Sequence, residues 1–201
     1  MLEIKPGFTT PEDPENLSLA FSADGRWLAA ARRTGGGMVL HDARTGLLAR
    51  ESATPPARHL EFGAENQILL TGGDSLEMWG ALSGTRLWQR GPPGIRGVLT
   101  PDRQQVLTCS DGGQLQLLSA RDGSALSRPG NPKASRNGEM VMHPDGKTAF
   151  IGEEKGLVEC VDLRDGRKPD FPGHRAGMPV KPAIPENRVA TQSLLSRRAG
   201  H

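Results

Sequence analysis

Short apolar runs separated by turns recur along this chain of 201 residues. Near the N-terminus, Leu17, Leu19 and Phe21 alternate with small or polar residues, as on a half-buried β-strand. The dipeptide Asp24-Gly25 then forms a tight turn, since glycine tolerates positive φ and aspartate bonds to nearby backbone. The pattern predicts four short strands, at about Leu17–Phe21, Trp27–Ala31, Met38–His41 and Leu47–Arg50.

This four-strand pattern recurs along the chain. The acidic residue of the first turn recurs at Asp24, Glu65, Asp102, Asp145 and Glu186, with spacings of 41, 37, 43 and 41 residues. A second turn follows the third strand of four units, at Thr45-Gly46, Ser83-Gly84, Asp122-Gly123 and Asp165-Gly166. Four strands per unit of this length are typical of a propeller blade. The sequence therefore predicts an all-β fold, a β-propeller of four-stranded antiparallel blades.

Proline follows the same period. It occurs at Pro55-Pro56, Pro92-Pro93, Pro129, Pro132, Pro169 and Pro172. We expect these residues to lie in the connections between units, where a missing backbone N–H costs little.

The repeat divides the chain into about four complete blades and a partial fifth. The predicted blades are residues 17–57, 58–94, 95–138 and 139–177, with the partial unit at 178–201 and an N-terminal extension at 1–16. Blades bury their faces only against neighbours, so an open array exposes its ends and invites self-association through open blade edges. Three arrangements would cover the exposed ends. The segment Leu2–Lys5 could close a small ring as an outer strand, two copies could join, or the chain could be part of a larger propeller. We favour the larger propeller.

Individual motifs resemble the WD-repeat β-propeller family. FSADGRWLAAA and HPDGKTAFIG resemble the first hairpin of its blades, and EMWGALSG resembles the strand that carries its Trp-Asp pair. The repeats are degenerate, because that position reads His41-Asp42, Trp79-Gly80, Leu118-Ser119 and Val161-Asp162. The hydrogen-bonded network that often braces such blades is therefore incomplete, and we expect the blades to rely on packing alone.

A second resemblance is to quinoprotein-dehydrogenase-like propellers. WGALSGTRLWQRG is similar to their repeat, in which an Asp, a Thr-Gly step and a Trp recur at fixed offsets. Trp88 fits the Trp position, while Asp42 and Asp162 fit the Asp position of their own units. No unit fits all three positions, so this interpretation ranks second.

Composition narrows the function classes. The net charge is +2 and no block of Lys and Arg stands out, so we expect no nucleic-acid partner. The longest wholly apolar run, near WLAAA, is far too short for a membrane span, and the N-terminus lacks a signal-peptide core. We expect a cytoplasmic protein with no membrane partner. Cys109 and Cys160 suit two reduced, buried thiols.

No motif indicates catalysis. Asp145–Thr148 reads DGKT, but the glycine that a phosphate loop needs is replaced by Val141. The five histidines show no metal-ligand spacing, and there is no Gly-x-Ser-x-Gly elbow. We therefore predict a non-enzyme with no catalytic residues, no cofactor and no metal. Trp27, Trp79 and Trp88 are expected to be buried between blades.

The candidate binding site is the set of loops that join second to third strands and blade to blade. In a propeller these loops cluster on one face, where a rigid scaffold holds them. The candidate protein-binding residues are Arg32, Arg33, Asp74, Asp111, Glu153, Glu154, Lys155, His174 and Arg175. The sequence thus favours a non-catalytic scaffold module that binds a protein or peptide. The alternatives are a quinoprotein-like propeller derived from an enzyme, or a structural section of a larger multidomain regulator.

Overall fold

The structure is a computed structural model that describes residues 17–72, 75–91, 95–110, 112–130, 139–152 and 158–167. Within these ranges the chain forms fifteen β-strands and one short 3-10 turn at Ala64–Asn66. The strands are β1 (Leu17–Phe21), β2 (Trp27–Arg32), β3 (Met38–Asp42), β4 (Leu48–Ser52), β5 (His59–Phe62), β6 (Gln67–Gly72), β7 (Ser75–Gly80), β8 (Arg86–Arg90), β9 (Arg96–Leu99), β10 (Gln105–Cys109), β11 (Leu115–Ser119), β12 (Ala125–Gly130), β13 (Met140–Met142), β14 (Thr148–Gly152) and β15 (Val158–Asp162).

The strands pair in chain order into four antiparallel sheets. Blade 1 is β1–β4, blade 2 is β5–β8, blade 3 is β9–β12, and blade 4 is β13–β15. The strand β1 contacts β5, and β9 contacts both β6 and β13, so the first strands lie along one edge of the stack, which we call the inner edge. The predicted all-β class is confirmed. The predicted partial unit at 178–201 and the extension at 1–16 lie outside the described residues.

Three apolar layers hold the four blades together. Each blade has a preceding face, which contacts the blade before it, and a following face, which contacts the blade after it. Side chains alternate between these faces with the period of a strand. Between blades 1 and 2 the layer includes Ala29, Leu40, Leu60, Phe62 and Trp79; between 2 and 3 it includes Leu69, Met78, Trp88, Val106 and Leu118; between 3 and 4 it includes Leu107, Leu115, Met140, Ile151 and Val161.

All three tryptophans are buried in these layers, as predicted. The indole of Trp88 also bonds across the blade boundary, since its Nε1 donates to the carbonyl of Ala120 at 2.8 Å. Both cysteines are free; Cys109 is buried, whereas Cys160 is partly exposed. Cys160 lies on the following face of blade 4, which no further blade covers in the described part of the chain.

The turn aspartates act as local hydrogen-bond acceptors. In the first hairpins, Oδ1 of Asp24, Asp102 and Asp145 accepts the backbone N–H two residues ahead. After the third strand, Asp42, Asp122 and Asp162 do the same. Such Asx turns hold the hairpins without help from the core. Blade 2 departs from this pattern, because Glu65 and Asn66 both take positive φ in a hairpin one residue shorter.

One prediction about proline is wrong. The sequence places Pro129 in a connection between blades, but it lies inside β12. A proline is tolerated there because β12 is the outer strand, and one of its edges makes no hydrogen bonds to another strand of the sheet. The pairing of β12 with β11 is irregular, with register shifts between Leu115 and Leu118. Pro55-Pro56 does lie between β4 and β5, as predicted.

Stability should fall in acid because of the turn aspartates. The pKa of Asp122, Asp145 and Asp162 is lowered from 3.8 to about 2, chiefly by hydrogen bonds from Ser124, from the Lys147 backbone and from Arg164 respectively. The unfolded chain therefore binds more protons than the folded chain in this range. We expect the urea midpoint to be constant near neutral pH and to drop as pH falls from about 4 to about 2. The variant Asp145→Asn should show a shallower drop; an unchanged slope would contradict this assignment.

Replacing Gly123, in the turn after β11, by alanine should lower the free energy of unfolding more than the same change in an open turn. Gly123 has φ +69°, and a Cβ there would lie 2.9 Å from Cδ2 of Trp88. Gly25 has a nearly equal φ of +67° but no atom within 4 Å of its Cβ position. Gly25→Ala should cost about 1–2 kcal/mol for the left-handed backbone, and Gly123→Ala about 1–3 kcal/mol more for overpacking. Urea unfolding of the two variants measures the difference, and equal losses would refute the packing argument.

Candidate functional site

Only two of the predicted binding residues fall in the described structure. Arg32 ends β2 and is partly buried, and Arg33 is exposed in the loop between β2 and β3. The other predicted residues lie outside the described ranges: Asp74, Asp111, Glu153, Glu154, Lys155, His174 and Arg175. The structure therefore places two adjacent arginines at the predicted face and leaves the rest of that prediction open.

The loops of blade 1 do meet at one end, as the binding-face hypothesis requires. The backbone N–H of Gly37 donates to the carbonyl of Thr54 at 2.8 Å, and that of Ala57 donates to Arg32 at 2.8 Å. These bonds join the β2–β3 loop to the connection into blade 2. Gly36 is required at the junction, because a Cβ would lie 2.4 Å from the Thr54 carbonyl. We call the end of the blades that carries these loops and connections the loop face.

A cavity of about 560 Å³ lies between the outer strand of blade 2 and blade 3. One wall is formed by Arg90, Gly91 and Ile95 at and after the end of β8, and the other is formed mainly by the preceding face of β10, β11 and β12. Its lining residues are Arg90, Gly91, Ile95, Thr108, Ser110, Gln114, Leu115, Gln116, Leu118, Gly123, Ala125 and Arg128. Because Gly91, Ile95 and Ser110 belong to loop-face elements, the cavity reaches that face.

The cavity is cationic and rich in hydrogen-bonding groups. Arg90 and Arg128 contribute two guanidinium groups, and none of the described lining residues is acidic. Arg90 is held by its Nε, which donates to the Gly123 carbonyl at 2.8 Å. Gln114 and Gln116 add two amides that can both donate and accept. The arrangement fits an anionic ligand with polar groups beside its charge, such as a carboxylate on a peptide.

The cavity exists because blade 3 has smaller side chains where blade 2 has a buried polar network. In blade 2, the carboxylate of Glu77 is 2% exposed; it accepts from Trp79 Nε1 at 2.7 Å, Ser75 Oγ at 3.0 Å and Arg86 Nη1 at 3.3 Å. This network fills the space toward blade 1. The expectation that the blades rely on packing alone is therefore wrong for blade 2.

The matching positions can be read from the strand register. Trp79 pairs with Arg86 in blade 2, and Leu118 pairs with Ala125 in blade 3. Glu77 lies seven residues before Gly84, and Gln116 lies seven residues before Gly123. Blade 3 therefore carries Gln116, Leu118 and Ala125 where blade 2 carries Glu77, Trp79 and Arg86. The lost side-chain volume opens the cavity.

Sequence reasoning missed Arg90, Arg128, Gln114 and Gln116. The signal was present, since the third strands carry Val39, Glu77, Gln116 and Glu159 at one repeat position where alternation predicts burial. A polar residue at such a position requires partners inside the fold. This repeat position therefore indicates which blade interfaces contain a polar side chain. Only the structure shows that side chains fill the interface at Glu77 and leave a cavity at Gln116.

The described residues hold no group of three or more His, Cys, Asp or Glu that could bind a metal ion. Within the same ranges, no helix has the length and apolar character needed to cross a bilayer.

The stacked antiparallel sheets, three with four strands and one with three strands in the described residues, define a β-propeller fold, and comparison with solved structures agrees. The β-propeller domain of Myceliophteria thermophila Cps50 (Swd1) aligns with a TM-score of 0.59 and 17% identity, covering 72% of this chain and 50% of that one. Hydrazine synthase from Kuenenia stuttgartiensis aligns with a TM-score of 0.62 and 16% identity, covering 83% and 51%. The chain thus spans about half the length of each. At these identities the likeness shows the fold alone.

No protein-family model matches the sequence, and no curated protein matches it significantly. The assignment of the chain to the β-propeller fold thus rests on its structure and not on a sequence match.

Removing the Glu77 carboxylate should destabilise the protein more than the matching change in blade 3. Glu77→Ala leaves the buried Trp79 N–H and Ser75 hydroxyl without an acceptor, which should cost about 2–4 kcal/mol. Gln116→Ala removes a side chain that lines an open cavity and should cost less than about 1 kcal/mol. Urea unfolding with both variants measures the contrast. A loss from Gln116→Ala as large as that from Glu77→Ala would contradict the matched-position argument.

Proposed function

We propose that this chain is a non-catalytic, WD-repeat-like propeller that binds a protein or peptide at its loop face. The cavity between blades 2 and 3 receives an acidic segment of that partner. The observation that carries the proposal is the pairing of Arg90 and Arg128 in one cavity whose described lining contains no acid.

Size and chemistry favour a peptide segment. A volume of about 560 Å³ lies within the range of about 300–1,000 Å³ that ligand pockets usually have. A guanidinium group presents a planar fork of donors that matches a carboxylate, and glutamine amides match a peptide backbone. The apolar residues Ile95 and Leu118 lie in the same lining and suit the aliphatic part of a side chain.

Position favours a macromolecular partner. The cavity reaches the loop face, where the exposed Arg33 adds a further positive charge on blade 1. Loops fixed on a rigid sheet scaffold are where binding residues concentrate. A partner laid across this face would place one acidic side chain in the cavity and a further acidic group near Arg33.

The test uses a fluorescent acidic peptide, rich in Glu and Asp, and its neutral counterpart with Gln and Asn. Anisotropy titration at low salt should show binding of the acidic probe and weak binding of the neutral one. Arg128→Glu should weaken the affinity for the acidic probe by at least about 10-fold, because it reverses the charge of a residue that lines the cavity. Arg44→Glu is the matched control, since Arg44 lies in the β3–β4 turn at the opposite end of a different blade.

Equal affinity of the acidic probe for the wild type and Arg128→Glu would refute the cavity as the site. Equal affinity of the wild type for the acidic and neutral probes would refute the electrostatic argument. Arg90 is a poorer target, because its Nε also holds the Gly123 turn and its loss would disturb the fold.

The quinoprotein interpretation makes a different prediction for the same protein. A propeller derived from such an enzyme should retain pyrroloquinoline quinone in equilibrium dialysis. No retention would end that interpretation. Retention by the wild type and by Arg44→Glu, but not by Arg128→Glu, would assign the cavity to a small polar cofactor instead of a peptide.

A further inference from the structure

The interface between blades 1 and 2 carries its own anion. The buried carboxylate of Glu77 accepts hydrogen bonds from Trp79 Nε1 at 2.7 Å and from Ser75 Oγ at 3.0 Å. Arg86 supplies the positive charge, since its Nη1 lies 3.3 Å from Oε1 of Glu77. One anion and one cation are thus paired inside the fold, and this site needs no charge from outside.

The facing walls show that the cavity between blades 2 and 3 is the corresponding place one blade further along. Ser52 and Arg90 occupy matching positions of β4 and β8 in the strand register. Ser52 lies against the turn of blade 2, because a Cβ on Gly84 would lie 2.8 Å from its Oγ. Arg90 lies against the same turn of blade 3, because its Nε donates to the Gly123 carbonyl at 2.8 Å. The cavity can therefore be compared with the Glu77 site position by position.

In the cavity the cations are present and the internal anion is missing. Gln116 stands at the Glu77 position, so a neutral amide replaces the carboxylate. Arg90 stands at the position of the small Ser52, and Arg128 is a second cation in the same lining. Two positive charges line this space, and no acidic side chain among the described lining residues compensates them.

The strand beside Gln116 is polar where its counterpart in blade 2 is apolar. In blade 2, Leu70 pairs with Glu77 and is 2% exposed in the layer against blade 1. In blade 3, Thr108 pairs with Gln116, and its Oγ1 donates to the Gln116 carbonyl at 3.1 Å. The shorter, polar threonine leaves more space and keeps it hydrophilic, as a charged group requires.

We infer that a side-chain carboxylate of the partner takes, in this cavity, the place that the Glu77 carboxylate takes between blades 1 and 2. The inference rests on the proposed function, because it names the group that the cavity receives. Arg90 and Arg128 hold that carboxylate by charge-assisted hydrogen bonds, and the amide of Gln116 donates a further one. Gln116 is then the specificity-determining residue, because a glutamate at this position fills the site from within.

Gln116→Glu restores the internal carboxylate and tests the site without a ligand. Arg90 on β8 and Arg128 on β12 are the charged groups in the described lining, and both favour the ionised form of the new carboxylate. The urea midpoint should exceed that of the wild type at pH 7, and the gain should disappear as the pH falls below about 4, where the carboxylate is protonated. Gln114→Glu is the matched control, since it makes the same change in the same lining, and it should raise the midpoint less.

The binding test uses the acidic peptide with its N-terminus acetylated and its C-terminus amidated, so that its only carboxylates are side chains. Gln116→Glu should weaken its affinity by at least about 10-fold, because the introduced carboxylate already occupies the place and repels the ligand. Gln114→Glu should weaken the affinity by less than about 3-fold, since Gln114 is exposed and its charge is screened by water. Gln116→Met removes the amide without adding charge and should weaken the affinity less than Gln116→Glu does.

The failure of this inference and the failure of the proposed function give different results. Equal urea midpoints of Gln116→Glu and Gln114→Glu at pH 7 would overturn the inference, because no place for a carboxylate would then exist at Gln116. Equal weakening of the peptide by both variants would also overturn it, since added charge anywhere in the cavity would suffice. In both cases the proposed function stands if the wild type binds the acidic peptide and Arg128→Glu does not. A wild type that does not bind the acidic peptide would refute the proposed function, and the inference with it.

Discussion

The sheets of this protein carry apolar side chains on both faces, and this requirement for a neighbour on each side organises the whole molecule. A sheet with two such faces gains most of its stability from the blades that cover it, since burial of each large aliphatic side chain contributes about 1.5–3 kcal/mol. Three internal layers meet the requirement between blades 1 and 4. On the two outer faces of the described stack, Leu19, Phe21, Val141 and Val158 are exposed, whereas Val39 at the centre of the blade 1 face is buried.

The candidate site is a consequence of the same constraint. Successive blades are repeats, so the same position of the third strand always enters a blade interface. In blade 2 this position is Glu77, which together with Trp79 and Arg86 fills the space next to blade 1. In blade 3 it is Gln116, whose neighbours Leu118 and Ala125 are smaller, and a cavity remains next to blade 2. The proposed binding function thus arises from unequal filling of equivalent interfaces, with Arg90 and Arg128 giving the open one its charge.

The hairpins are built on a different principle from the layers. Turn aspartates accept backbone N–H groups within three residues, so the hairpins that carry them are held by local bonds that need no neighbouring blade. Local closure and long-range packing therefore contribute separately. The first depends on carboxylates that must stay ionised, as their lowered pKa values reflect, and the second on apolar contact between sheets.

The sequence by itself determined the repeat, the all-β class, the strand limits of blade 1 to within two residues and the burial of the tryptophans. These follow from alternation and turn chemistry, which act over a few residues. It could not determine that Pro129 lies in an outer strand, that Glu77 binds Trp79 and Arg86, or that Arg90 and Arg128 share a cavity. Only the tertiary structure decided these, because they depend on which strand forms the edge of a sheet, which side chains meet within a blade and which meet between two blades. Arg90 and Arg128 belong to different blades, so only packing brings them to one cavity.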